Sequence, residues 1–343
     1  MNMSDENRLN KKNNGLTSAA DSEKEEPSAE KPERLSRREF FKKSASFGAA
    51  AAGAFLLSRT QRLFSQSWRL VPGEYDLVAL IGGEPDEMFD RGVRELGGIE
   101  QFVNRRDTVV IKPNMSWHSA PEEGGNTNPK LIGRIVEHCI NAGAKRVYLF
   151  DNTLSRNSYQ VSGIEKAASE AGGQLVPAKA ERYYQQVEIK GAQRLTEVKV
   201  HELLLEADAF INVPVLKHHG STHLTVCMKN LMGCVWDRWY YHRNNLDRCI
   251  AEFTLLRKPT LNVVDAYRVM KNGGPSGRGG ADILLEKMQI LSTDIVAADA
   301  AAAAQGEMWG IYGAGRVEYI DIAHQLGVGN KNMSELNIKR ISL

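Results

Sequence analysis

The chain has 343 residues, enough for one large domain or two smaller ones with a full hydrophobic core. Its 42% apolar and 25% charged residues are ordinary for a soluble globular protein. Its 44 basic residues against 42 acidic ones leave a net charge of +2, with no basic stripe or aromatic-interleaved patch, so nucleic acid is not an expected partner.

Residues 1–34 are polar and have almost nothing to bury, so they are expected to be disordered. Residues 35–67 form a second segment. It opens with Leu35-Ser36-Arg37-Arg38-Glu39-Phe40-Phe41-Lys42-Lys43 and continues into the Ala/Gly-rich run Ser44–Leu57. Paired arginines before a mildly apolar run resemble a twin-arginine export signal. The run is shorter than the roughly 20 residues needed to cross a bilayer. No stable membrane span is therefore expected unless the signal stays uncleaved; no Ala-x-Ala follows Leu57 and Ser65-Gln66-Ser67 is the best small-residue cleavage candidate, so retention of the signal as an anchor is left open. The expected location is periplasmic or otherwise exported, with the twin-arginine machinery as a partner. That route carries proteins already folded, often around a cofactor, which makes a cofactor a reasonable expectation.

From residue 68 onward, strand and helix patterns alternate. Asp76–Ile81 and Thr108–Lys112 are buried strands, and Pro85–Leu96 has helical spacing. Asn128 and Pro129 signal the start of a helix that ends at Gly143. Lys145–Phe150 is a strand, Gly163–Ala171 a helix, 174–200 a poorly patterned strand-rich stretch, and His201–Glu206 a short helix. The buried strand Phe210–Leu216 opens onto Lys217-His218-His219-Gly220. A helix is expected next, starting just after His219 with Ser221 and Thr222 as caps and carrying His223, Cys227, Lys229, Asn230 and Cys234. Arg243–Leu256 reads as helix, Thr260–Ala266 and Lys287–Ser292 as strands, 295–305 and Val317–Leu326 as helices, and the remainder as a polar tail. This order predicts one α/β domain over 68–343, with a mostly parallel sheet covered by helices on both faces.

Polar residues collect where strands end: Lys112 with Asn114, Asp151 with Asn152, Lys217 with His218 and His219, and Asp265. In open α/β sheets ligands bind beyond the carboxyl ends of the strands. The chain places three of its eight histidines, His218, His219 and His223, within six residues. They are candidates for proton transfer, for holding a divalent metal, or for plain hydrogen bonding in a loop. Lys229, among apolar neighbours, calls for a carboxylate such as Asp237, a substrate anion, or an escape to solvent. The glycine-rich run Lys271–Gly280 has neither GxGxxG nor GxxxxGK[ST] order; it reads as a flexible loop, or as a flap in which Arg278 grips an anion. No Gly-x-Ser-x-Gly elbow, HExxH motif or EF-hand loop is present. The four cysteines, at 139, 227, 234 and 249, form no CxxC pair, so buried thiols are the simplest reading.

Val110-Ile111-Lys112-Pro113-Asn114, Asn212-Val213-Pro214 with Lys217-His218, Met228-Lys229-Asn230-Leu231-Met232-Gly233, Val264-Asp265-Ala266 with Gly274-Pro275, and Ser292-Thr293-Asp294 through Ala297-Ala298-Asp299-Ala300 together resemble the domain-of-unknown-function family numbered 362. The resemblance runs over roughly residues 76–310. It implies a single α/β domain, is in keeping with twin-arginine export, and says little about chemistry. Some members carry a ferredoxin-like segment for iron–sulfur clusters. This chain has no such cysteine run, and Cys227, Cys234 and Cys249 would make an unusual ligand set.

The expected function is therefore that of an exported α/β enzyme acting on a small anionic ligand. Lys112, Asn114, Lys217, Lys229, Asn230 and Arg278 would bind it. His218, His219 and His223 would move protons or hold a metal, with Asp151 or Asp265 orienting them. The alternative expectation is a non-catalytic metal- or iron–sulfur-binding redox accessory protein.

Overall fold

The computed structural model describes residues 74–277 and 280–343; the polar stretch 1–34, the paired-arginine segment 35–67 and Arg278 lie outside the described residues. The chain begins with β1 (Leu77–Ile81), α1 (Pro85–Glu95), β2 (Thr108–Pro113), α2 (Pro129–Asn141) and β3 (Arg146–Leu149). Two short helices, α3 (Ser158–Val161) and α4 (Ile164–Glu170), lead to β4 (Gln174–Leu175). An outlying antiparallel pair, β5 (Tyr184–Glu188) and β6 (Glu197–His201), precedes α5 (Glu202–Glu206) and β7 (Ala209–Val213). Then come β8 (Val215–His219), β9 (His223–Thr225), α6 (Cys227–Asn230), α7 (Trp239–Arg243) and α8 (Leu246–Phe253). The chain closes with β10 (Leu261–Met270), β11 (Ile283–Ser292), α9 (Ile295–Met308), α10 (Glu318–Gln325) and β12 (Ile338–Ser342).

The main sheet has the order β12-β1-β11-β10-β7-β2-β3-β4. Every neighbouring pair is parallel except those made by β11, which runs against both β1 and β10. Period-two alternation sends side chains to two faces. Val78, Leu80, Val109, Ile111, Ile211 and Val263 pack with α1, α2 and α4 on one side. Leu77, Val110, Phe210, Val264 and Ile290 pack with α6, α8, α9 and α10 on the other. Full burial of a side chain such as Phe210 contributes about 1.5–3 kcal/mol, so the continuous apolar strands can be buried on both faces. The expected α/β architecture is the one observed. No helix among the described residues is long and apolar enough to cross a membrane.

Helix starts follow their signals. Asn128 accepts the Lys130 N–H at 2.9 Å with Pro129 in the first position of α2, and Asp294 accepts from Val296 and Ala297 at the start of α9.

Three expectations are corrected. The central strand breaks at Pro214, which has no N–H to give a ladder. Its two halves, β7 and β8, each run parallel to β10, and the Pro214 carbonyl accepts from Asp265 N at 2.9 Å. Gly220-Ser221-Thr222 closes a hairpin instead of starting a helix. His219 Nδ1 accepts the N–H groups of Ser221 (3.1 Å) and Thr222 (3.4 Å), and His219 pairs across with His223. His223 is thus on a strand, at φ 62°, and the helix waits until Cys227. Finally, the C-terminal tail is a strand: Ile338–Ser342 zips parallel onto β1, an edge partner too distant in sequence for local patterning to reveal.

Candidate active site

Three strand ends meet. In register across the sheet, Lys112 of β2 lies beside Asn212 of β7, Asn212 beside Asn262 of β10, and Asn262 beside Ser292 of β11. This polar row is buried. Asn212 Nδ2 donates to Asn262 Oδ1 and to the Cys227 carbonyl, both at 3.1 Å, and Asn262 donates to the Ser292 carbonyl. Asn230 on α6 docks into the row: its Nδ2 donates to Asn212 Oδ1 (2.9 Å) and to the Lys112 carbonyl (3.1 Å). Its Oδ1 accepts from Lys112 Nζ and Asn114 Nδ2, each at 3.1 Å. A second anchor comes from α9. The Asp299 carboxylate accepts the first N–H groups of α6, from Cys227 at 2.7 Å and Met228 at 3.0 Å. Burial pushes Asp299 up to about 7, against these hydrogen bonds.

At the end of β3, Asp151 is wholly buried and pairs with Lys112 at 3.1 Å. Its other oxygen accepts from Ser116 Oγ (2.8 Å) and Met115 N (3.1 Å). Burial would raise this carboxyl, but Lys112 and Arg238, with those two hydrogen bonds, hold it below its ordinary range. Gly233 lies against the pair: a Cβ there would be 1.9 Å from Asp151 Oδ1 and 2.5 Å from Lys112 Cε. Only glycine lets the backbone pass. The same carbonyl, of Gly233, accepts from Asn152 N, while Asn152 Nδ2 donates to the Val235 and Trp236 carbonyls and fixes the segment that follows.

Above these groups is a cleft of about 580 Å³. Lys179, Lys217, Lys229 and Arg238 line it together with His219 and His242, while Asp151 is its one carboxylate. Three of the chain's five tryptophans, Trp117, Trp236 and Trp239, also line it. Lys217 is buried, and its ammonium meets two neutral acceptors, Asn114 Oδ1 at 3.3 Å and the Gly125 carbonyl. Burial pushes it down to about 7, opposed by Asp151 and helped by Lys229 and Lys112. Half-buried Lys229 has Met232 Sδ, 3.1 Å from its Nζ, as its hydrogen-bond partner. It too is pushed down to about 7, first by burial and then by Arg238, with Asp247 opposing. His219 is driven down to about 2 by burial and the surrounding cations, so its imidazole is neutral. Because Nδ1 accepts backbone N–H groups, the proton sits on Nε2.

Lys112, Asn114, Asp151, Lys217, Lys229, Asn230 and His219 are therefore brought together. The other expected residues are elsewhere. His218 Nδ1 accepts Gly274 N at 3.2 Å and holds the glycine-rich loop against β8. A Cβ on Gly274 would collide with the His218 carbonyl at 1.9 Å. His223 lines a separate cavity of about 310 Å³ beside Tyr312 and Glu307. The three histidines do not converge, because the hairpin sends them to different surroundings. Among the described residues no three His, Cys, Asp or Glu side chains are grouped to hold a metal, and all four cysteines are buried, free thiols. Asp265 does not line the cleft. Its carboxylate accepts Asn128 N (2.7 Å) and Tyr267 N (3.0 Å), fastening the start of α2 to a bulge in β10. Asp237 is not the partner of Lys229; it pairs with Arg243 at 3.2 Å. Lys179, Arg238, Trp117, Trp236 and Trp239 escaped the sequence reading. The run Trp236-Asp237-Arg238-Trp239, which begins three residues after the glycine that touches the ion pair, was the available signal.

A family model described as "Domain of unknown function (DUF362)" matches residues 109–304, more than half of the chain. The chain belongs to this family. The matched span of DUF362 runs from β2 into α9 and includes Lys112, Asp151, Lys217, Lys229, Gly233 and Asp299. A curated relative is the thylakoid-associated protein sll1697 of Synechocystis sp., 25% identical over 194 residues. The alignment covers 52% of this chain and 58% of that protein, so the chain spans less than two thirds of the relative's length. A solved structure, the lactate racemase apoprotein from Thermoanaerobacterium thermosaccharolyticum, superposes with a TM-score of 0.42 at 11% identity, over 68% of this chain and 56% of that one.

Proposed function

We propose that this DUF362 protein is an enzyme whose cleft binds a small organic anion and transfers protons on it with lysine and histidine groups. One observation carries the reading. Among the described residues, none of the four cations lining the cleft is in an ion pair, and the cleft's one carboxylate is already taken by Lys112. Lys217 is buried and Lys229 and Arg238 are half-buried, while Lys179 is exposed. Positive charge withdrawn from water without a counter-ion is costly, and a bound anion relieves that cost. The three tryptophans favour a ligand with a planar portion. With Lys217 and Lys229 near 7, each can be an amine or an ammonium at neutral pH, the condition general acid–base work requires. Neutral His219 presents an Nε2–H donor to the ligand.

The test is calorimetric titration with aromatic and aliphatic carboxylates and with inorganic phosphate. Each lost charge-assisted hydrogen bond is worth about 1.5–3 kcal/mol, so Arg238→Met and Lys229→Met should each weaken binding by about tenfold or more. Binding should also weaken as pH rises through about 7, because the anion favours the ammonium forms. Unchanged affinity in both variants would refute the assignment.

We also propose that the paired arginines Arg37 and Arg38 direct export by the twin-arginine route. Cell fractionation of the Arg37→Lys/Arg38→Lys variant should find it retained in the cytoplasm. Export at the normal level would overturn that proposal.

A further inference from the structure

We propose that Lys229 is a nucleophilic amine that condenses with the carbonyl group of an anionic substrate, a 2-oxo acid, to form a Schiff base. The inference rests on the anion-binding reading of the cleft and adds to it a covalent step and a substrate class.

Among the site's lysines that are buried or half-buried, Lys229 alone has the surroundings a nucleophile needs. Lys112 is committed to Asp151, and the N–H groups of Lys217 are taken up by Asn114 Oδ1 and the Gly125 carbonyl. Lys229 is half-buried in the cleft wall, and its hydrogen-bond partner is a thioether, one of the weakest acceptors a protein offers. Among the described residues no carboxylate holds it in the ammonium form by contact. An amine pushed down to about 7 is about half free at neutral pH, which is how protein lysines become competent toward carbonyls. The turn bearing it is held on both sides: Asp299 grips the first two N–H groups of α6, and Asn230 is locked into the sheet. The surroundings also suit a carbonyl beside a carboxylate. Arg238 offers a planar fork to the carboxylate, and neutral His219 has an Nε2–H to donate to the carbonyl oxygen.

The step balances without an external redox partner. The Lys229 Nζ lone pair attacks the carbonyl carbon, the C=O π electrons move to oxygen, and a proton passes from nitrogen to that oxygen to give a carbinolamine. The oxygen then leaves as water, taking a second proton from solvent, and the nitrogen lone pair closes the C=N bond. The protonated imine is an electron sink for breaking a bond at the adjacent carbon.

The experiment uses the 343-residue chain with phenylpyruvate and pyruvate as probes, followed by borohydride, which delivers hydride to an imine carbon and leaves a stable secondary amine. Peptide mass mapping locates the adduct, and quenching of tryptophan fluorescence reports binding independently. The expected result is a single borohydride-dependent adduct on Lys229, suppressed by excess phosphate. Lys229→Arg keeps the charge but has no free amine at neutral pH, so it should bind phenylpyruvate and lose all trapping. Phenylpyruvate binding without an adduct would overturn the Schiff-base proposal and leave the anion reading intact. So would an adduct on Lys217, or one scattered over surface lysines. No binding of either probe, together with no binding in the anion titrations, would overturn both.

Discussion

Replacing Gly233 with alanine tests whether the Lys112–Asp151 pair and the backbone crossing it are as tightly constrained as they look. The added methyl would sit 1.9 Å from Asp151 Oδ1, and the nearest Lys112 atoms are 2.5 and 2.8 Å away, so something must move. Two routes exist. The ion pair can open, leaving a buried charge poorly compensated, at a cost of about 3–5 kcal/mol. Alternatively, the 233–236 segment can lift, losing the Asn152 N to Gly233 carbonyl bond and the Asn152 Nδ2 bonds to Val235 and Trp236. Those three bonds together are worth about 1.5–4.5 kcal/mol, centred below the cost of opening the pair, so the segment should move. Equilibrium urea unfolding would then show a loss of about 1.5–4.5 kcal/mol with an unchanged slope. Ligand affinity should fall as well, because Trp236 rides on that segment and Arg238 follows it by two residues. The acid limb distinguishes the routes. Asp151 is held below its unfolded value, so its contribution is present above the unfolded pKa and lost as pH falls through the folded one. If the segment moves, that limb stays as in the parent; if the pair opens, it flattens. A loss below about 0.5 kcal/mol, the size of a neutral surface change, would refute the constraint altogether.

Two further outcomes follow from buried charges. Below about pH 7 both folded and unfolded chains hold the Lys217 proton; between there and the ordinary lysine value of 10.5 the folded chain has released it and the unfolded one has not. Stability should therefore rise with pH across that window, and Lys217→Met should flatten the rise in urea midpoints measured between pH 7 and 9; an unaltered slope would rule the assignment out. Asp299→Ala frees the N–H groups of Cys227 and Met228, which should cost about 1–3 kcal/mol and loosen the turn carrying Lys229. Full stability and full ligand affinity in that variant would show that Asp299 does not position the turn.

Much of the fold could be read from the chain because its strands are continuous apolar runs and its helices carry strong start signals, such as Asn128-Pro129. The clustering of strand ends followed from the same reasoning and brought Lys112, Asp151 and Lys217 to one place. What stayed hidden depends on contacts distant in sequence. Asp265 and Asp151 look alike at the ends of their strands, yet one serves Asn128 and Tyr267 backbone groups while the other meets Lys112 and Ser116. The three histidines were misplaced for a local reason. Ser221 and Thr222 are good helix caps, but their N–H groups found His219 Nδ1 first, and a hairpin resulted. Asp299 sits 72 residues from the N–H it binds, and no local pattern announces such a remote cap.

The buried polar row explains why Lys229 faces the cleft at all. Apolar side chains could hold α6 against the sheet equally well, since replacing buried polar groups by matched hydrophobes is often neutral. What they could not do is set the rotation of so short a turn. Asn230 uses both donors and both lone pairs of its amide, on Asn212, on the Lys112 carbonyl, on Lys112 Nζ and on Asn114, and only one orientation satisfies all four. Adjacent residues on a helix of 3.6 residues per turn point about 100° apart. Locking Asn230 into the sheet therefore turns Lys229 away from it, toward the cleft and away from the carboxylate that Lys112 already occupies. The network's contribution is to direction more than to stability, and it is the direction that leaves the Lys229 amine on the cleft wall.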